Sequence, residues 1–107
     1  MPTKGVRTDF TEFDERVGQA WTMHFRKQDA AAIDKFEALV AEWDNHIDAN
    51  YGLALCYRTS GKVDKARAAF EKTRTLVDAE LAKNYGGETS RYQMLLRMIE
   101  QNLAMLG

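Results

Sequence analysis

Cys56, with His24, His46 and Asp48, is the set of side chains in this chain that could supply a nucleophile and its base. A thiol attacks as the thiolate, and a nearby cation or paired base has to lower its pKa. Cys56 lies between Leu55 and Tyr57 in a helix-forming stretch, with no cationic side chain adjacent to it, so the reading is a buried, inert thiol. The two histidines are 22 residues apart and form no metal-ligand spacing. Glu37, Glu42, Asp44 and Asp48 make an acidic run, read as a solvated face near a turn. Gly86-Gly87 is not a phosphate loop, because the Lys-Ser/Thr pair and the preceding strand are missing. Lys62, Lys65, Arg67, Lys72 and Arg74 are interleaved with Asp64 and Glu71, which gives nucleic-acid binding no support. The expectation is a protein with no catalytic residue, no cofactor and no metal.

Composition points the same way. The 107 residues, 45% hydrophobic and 29% charged, suit one soluble globular domain. Fifteen basic against sixteen acidic side chains leave a formal net charge of −1, so no global field draws the chain to nucleic acid or an anionic membrane. No stretch reaches the ~18 consecutive apolar residues of a membrane span. Met1-Pro2-Thr3-Lys4-Gly5 lacks the apolar core of a signal peptide, and a cytoplasmic location is expected. The lone Cys56 has no partner for an internal disulfide.

These side chains must be positioned by helices. The only proline is Pro2, glycines are sparse, and Ala, Leu, Glu, Lys, Arg and Met dominate. Residues 1 to 11 carry no apolar period and are read as an N-terminal arm. Breaks fall at Lys27-Gln28-Asp29, Asp44-Asn45-His46, Thr59-Ser60-Gly61 and Asn84 to Ser90, with Gly61 suited to a left-handed helix end. The pattern predicts helices over 12–26, 30–43, 47–59, 63–83 and 90–106. Short connections force successive helices antiparallel, so the product is a stack of helical hairpins.

The chain also repeats itself. Ala32 and Ala66, Phe36 and Phe70, Glu37 and Glu71, Asp44 and Asp78, and the triplets Asn50-Tyr51-Gly52 and Asn84-Tyr85-Gly86 all stand 34 positions apart. In the second unit Leu53-Ala54, Tyr57, Gly61, Ala66 and Phe70 follow W-x2-L-G-x2-Y, a glycine turn and A-x3-F, with Asn50 in place of the Trp and Asp78 in place of the Pro. Ala20, Met23, Ala32 and Phe36 keep the small and large positions of the first unit, while Arg16, Gln19, Lys27 and Asp44 depart. The chain therefore resembles the tetratricopeptide repeat family. The resemblance implies an all-α right-handed superhelix of hairpins: repeat 1 at about 13–46, repeat 2 at about 47–80, and a C-terminal capping segment over about 81–107. Small Ala20, Ala32, Ala54 and Ala66 let helices approach, and Met23, Phe36, Tyr57 and Phe70 fill the space beside them. After Asn84-Tyr85-Gly86 the pattern fails, as in a terminal cap or a degenerate third repeat.

In this family the first helix of each unit lines a groove that holds a peptide. Carried over, those positions are Val17, Trp21, His24 and Phe25, then Asp48, Tyr51, Leu55, Arg58 and Thr59. The competing reading places Trp21 and Leu55 in the core. Some members clamp a C-terminal carboxylate with Lys and Asn, but Val17, Trp21, Tyr51 and Leu55 stand there instead, which argues against that ligand. In the last helix Tyr92, Leu95, Leu96, Ile99, Leu103 and Leu106 fall within about 50° of one direction, while Met94, Met98 and Met105 gather nearly opposite. The methionines read either as a second interface, for a partner or another copy of this chain, or as a face buried by the long fourth helix. Two functions follow: a non-catalytic adaptor binding a protein or peptide segment in the groove, or a subunit of a larger assembly joined through the Met-bearing helix.

Overall fold

A computed structural model describes residues 10–83 and 89–106. They form five α-helices: α1 Phe10–Phe25, α2 Asp29–Glu42, α3 Ile47–Thr59, α4 Val63–Ala82 and α5 Thr89–Leu106. No strand occurs among the described residues. Every helix expected from the sequence is present, with ends displaced by at most two residues. The largest displacement is at α1, which takes in positions 10 and 11 of the expected arm. Phe13, 1% exposed, lies against the rings of Trp43 and His46 at 5.2 and 5.0 Å and anchors that first turn. The rest of the arm, Asn84-Tyr85-Gly86 and Gly86-Gly87 lie outside the described residues.

Each helix packs on the next, and α1 also touches α3, so two hairpins stack and α5 closes the array against α4. The size alternation seen in the sequence becomes the core. Ala20, Ala32, Ala54, Ala66, Phe36 and Phe70 are all fully buried. Phe36 lies so close to α3 that a Cβ on Gly52 would stand 2.4 Å from its Cζ. That separation is possible only because position 52 has no side chain.

The connection between the two units is braced by residues that the repeat pattern does not explain. His46 caps α3, its Nδ1 accepting the Ala49 N–H at 3.1 Å. Asn50, where the family has Trp, is 2% exposed and donates its amide to the carbonyls of Asp44 (2.9 Å) and His46 (2.8 Å). A buried amide so satisfied locks the α2–α3 corner. The acidic run is more than a solvated face. Glu42 accepts from Arg16 of α1, Glu37 from the Tyr57 hydroxyl at 2.5 Å, Asp44 from Lys72 at 2.6 Å and Asp48 from the Trp21 indole at 3.2 Å. Each carboxylate ties its segment to another helix.

On α5, Ile99 is fully buried, and Tyr92, Leu95, Leu96, Leu103 and Leu106 pack against the core, which is the inward face expected. The opposite methionines are not covered by α4. Met94, Met98 and Met105 are 62, 39 and 68% exposed, so the reading that buries them is corrected. The physical reason is geometric: α4 packs on the face centred on Ile99, and one helix cannot cover both sides of another.

Candidate functional site

Trp21 is the centre of an aromatic cluster built from α1, α2 and α3. Its ring stacks on Phe25 (5.7 Å, 26°), meets Phe36 edge-on (5.4 Å, 80°) and reaches Tyr51 (6.4 Å). The indole N–H donates to Asp48, so the ring is held by packing on its faces and by a hydrogen bond at its edge. Tyr51 in turn meets Phe70 edge-on at 6.1 Å. The two repeated phenylalanines thus support the two aromatic residues above them. Burial raises the Tyr51 hydroxyl pKa, with Arg58 and Asn102 pulling the other way, so Tyr51 stays neutral at physiological pH.

Trp21, Asp48 and Tyr51 line a cavity of about 530 Å³ together with Trp43, Ile47, Glu80 and, from α5, Arg91, Tyr92, Leu95 and the methionines Met94 and Met98. Three of the expected groove positions, Trp21, Asp48 and Tyr51, thus share one depression with two methionines of the α5 stripe. Met105, further along α5, lies outside it.

The other groove positions go elsewhere. Val17 is 4% exposed and belongs to the core, because α1 turns that face toward the hairpin interior; it offers no surface to a ligand. Leu55 is half-buried against the core, and Arg58 is half-buried with its Nε enclosed and unpartnered. Neither lines the cavity. His24 and Phe25 instead line a second cavity of about 450 Å³ with Lys27, Asp29 and Thr59. Phe25 is 72% exposed.

A family model for the tetratricopeptide repeat matches residues 27–99. The chain belongs to the tetratricopeptide repeat family. The match begins in the turn after α1 and ends at Ile99, so it covers α2, α3, α4 and the first part of α5 and leaves α1 outside. No curated protein and no solved structure matches the chain. Tetratricopeptide repeats generally mediate protein–protein interaction, and the described helices include none long and apolar enough to cross a membrane.

Cys56 is fully buried, and desolvation, with the charge of Asp29 adding to it, pushes its thiol up to about 12. That shift favours the protonated thiol at neutral pH. Of the residues grouped with it by type in the sequence, His46 caps α3 and Asp48 accepts from Trp21, so both are engaged elsewhere. His24 alone reaches it, with Nδ1 3.5 Å from Sγ.

Proposed function

We propose that this chain is a non-catalytic binding module, and that the depression between α1, α3 and α5 holds a short segment of a protein partner. The observation that carries the reading is the convergence of Trp21 and Tyr51 with Met94 and Met98 on one cavity of about 530 Å³. That volume falls within the ~300–1,000 Å³ of ordinary ligand pockets and accommodates one or two large side chains. Rigid aromatic rings supply anchoring surface, and methionines adapt their shape to what is inserted. The partner segment is one with a large apolar side chain to enter among these residues. A basic neighbour on that segment pairs with Asp48, whose carboxylate is exposed and engaged only along one edge by the Trp21 indole. On this reading Met94 and Met98 serve the groove, whereas the alternative, a subunit of a larger assembly, uses them to contact a partner or a second copy.

The test is selection of displayed peptides on the purified chain, followed by calorimetry with the enriched sequences. Enriched peptides should share an apolar anchor with a basic neighbour. Tyr51→Ala and Met98→Glu should each weaken the same peptide at least about tenfold, the loss of one hot-spot contact. If binding peptides tolerate both changes, the site is elsewhere. Sedimentation of the chain alone separates out self-association: a dimer dissociated by Met98→Glu would show that this face binds a second copy.

A further inference from the structure

Three helix ends meet beside the smaller cavity. His24 comes from the last turn of α1, Asp29 is the first residue of α2, and Cys56 lies in the last turn of α3. The His24 Nδ1 stands 3.5 Å from the Cys56 Sγ and 3.6 Å from the Asp29 Oδ1, and the donor atoms of all three residues lie within 4.8 Å of one another.

Hydrogen bonding among these groups does not satisfy them. The one nitrogen that faces both neighbours can accept from the thiol or donate to the carboxylate, never both. If it accepts, Asp29 Oδ1 has no donor. If it donates, the contact to Asp29 is too long for a sound hydrogen bond and the thiol loses its acceptor. The Oδ1 of Asp29 is in fact enclosed and without a hydrogen-bond partner. Three possible ligand atoms thus lie within 4.8 Å of one another with too few protons among them, and a cation between them would satisfy all three.

The geometry points to a metal site: we propose that His24, Asp29 and Cys56 bind one transition-metal ion of the zinc class. Donors bound tetrahedrally at ~2.0–2.3 Å stand roughly 3.3–3.8 Å apart, so two of the three separations are already those of a ligand set. The third closes with a movement of about 1 Å or less. One sulfur, one imidazole nitrogen and one carboxylate oxygen select zinc or its neighbours over calcium and magnesium, which take oxygen ligands. Thr59 hydroxyl donates to the other carboxylate oxygen of Asp29 at 3.2 Å, the kind of outer contact that orients a metal-binding carboxylate. Three protein ligands leave a fourth position, which opens on the cavity of about 450 Å³ and is filled by water or by a donor from a partner. On binding, the Cys56 thiol gives up its proton to solvent and the sulfur becomes a thiolate ligand. His24 and Asp29 flank one turn, but Cys56 comes from the other hairpin, which is why spacing along the chain does not reveal the set.

Cobalt(II) titration of the whole chain, kept reduced with a phosphine, tests this. The expected result is one equivalent bound, with thiolate-to-cobalt charge transfer in the near ultraviolet, intense visible absorption of a tetrahedral ion, and loss of both on adding zinc. His24→Gln and Asp29→Asn, each confirmed folded by circular dichroism, should weaken cobalt at least about tenfold, since even outer contacts to a metal ligand are worth ~10–100-fold. Cys56→Ser should abolish the charge-transfer band. Should that buried substitution prevent folding, the His24 and Asp29 variants decide alone. Absence of the band in the native chain, or unchanged affinity in those two variants, overturns the site.

Discussion

Lys27 and Gly61 stand 34 positions apart and hold the same left-handed backbone conformation, with φ of 63° and 77°. Each ends the first helix of its hairpin with the same pair of hydrogen bonds. Lys27 N–H donates to His24 and Gln28 N–H to Met23, at 3.0 and 2.9 Å; Gly61 N–H donates to Arg58 and Lys62 N–H to Tyr57, at 3.1 and 2.9 Å. These are Schellman closures, whose left-handed residue is ordinarily glycine. The lysine therefore sits in a conformation that a Cβ disfavours by roughly 1–2 kcal/mol, against which glycine's greater freedom in the unfolded chain sets roughly 0.5–1 kcal/mol. Lys27→Gly should stabilise the fold by about 0.5–1 kcal/mol. Urea unfolding would show a higher midpoint with the same slope, and a lower midpoint would sink the argument.

Gly18 and Gly52 are also related by the period, yet alanine should act on them in opposite directions. Both lie inside helices, where glycine is poorer than alanine by roughly 0.5–1 kcal/mol. A Cβ at position 18 meets nothing within 4 Å, so Gly18→Ala should raise stability by about that amount. At position 52 the new methyl would collide with the Phe36 ring, which is fully buried and cannot swing away. Gly52→Ala should destabilise by about 1–3 kcal/mol or more, the usual effect of overpacking. Thermal unfolding of the two variants measures both signs, and a shift in the same direction for both would contradict the packing described.

What could be read in the sequence was whatever depends on local pattern. Helix positions follow from composition and breaks, and the Ala and Phe positions follow from size alternation at a fixed period. The family fold and the inward face of α5 follow from the same signals. What could not be read depends on side chains meeting across helices. Glu37 finds Tyr57, Asp44 finds Lys72 and Asp48 finds Trp21 over 20 to 28 positions, and no periodic rule selects those pairs. Met94 and Met98 join Trp21 only because α5 takes up the place beside α4 where its wall faces the first helices. Likewise, His24 and Asp29 flank a tight turn while Cys56 arrives from another hairpin, so their convergence is a property of stacked helix ends.

The environment of the Tyr57 hydroxyl predicts a loss of stability at alkaline pH. The hydroxyl is nearly buried and donates to Glu37, and burial first, then that hydrogen bond and the Glu37 charge, raise its pKa well above the ordinary tyrosine range. Tyr51 is shifted in the same direction by burial. The unfolded chain begins to release these protons near pH 10, where the folded chain still holds them. The unfolded state then binds fewer protons, so stability is complete below about pH 10 and falls as pH rises through the folded values. One such group contributes a slope approaching about 1.4 kcal/mol per pH unit. Tyr57→Phe should cost about 1–2 kcal/mol at neutral pH through the lost bond to a carboxylate, yet flatten the decline above about pH 10. Urea midpoints for both proteins between about pH 7 and pH 11, in chelator-treated buffer, measure the two effects separately. Parallel curves across that range would show that Tyr57 is not the group whose ionisation unfolds the chain.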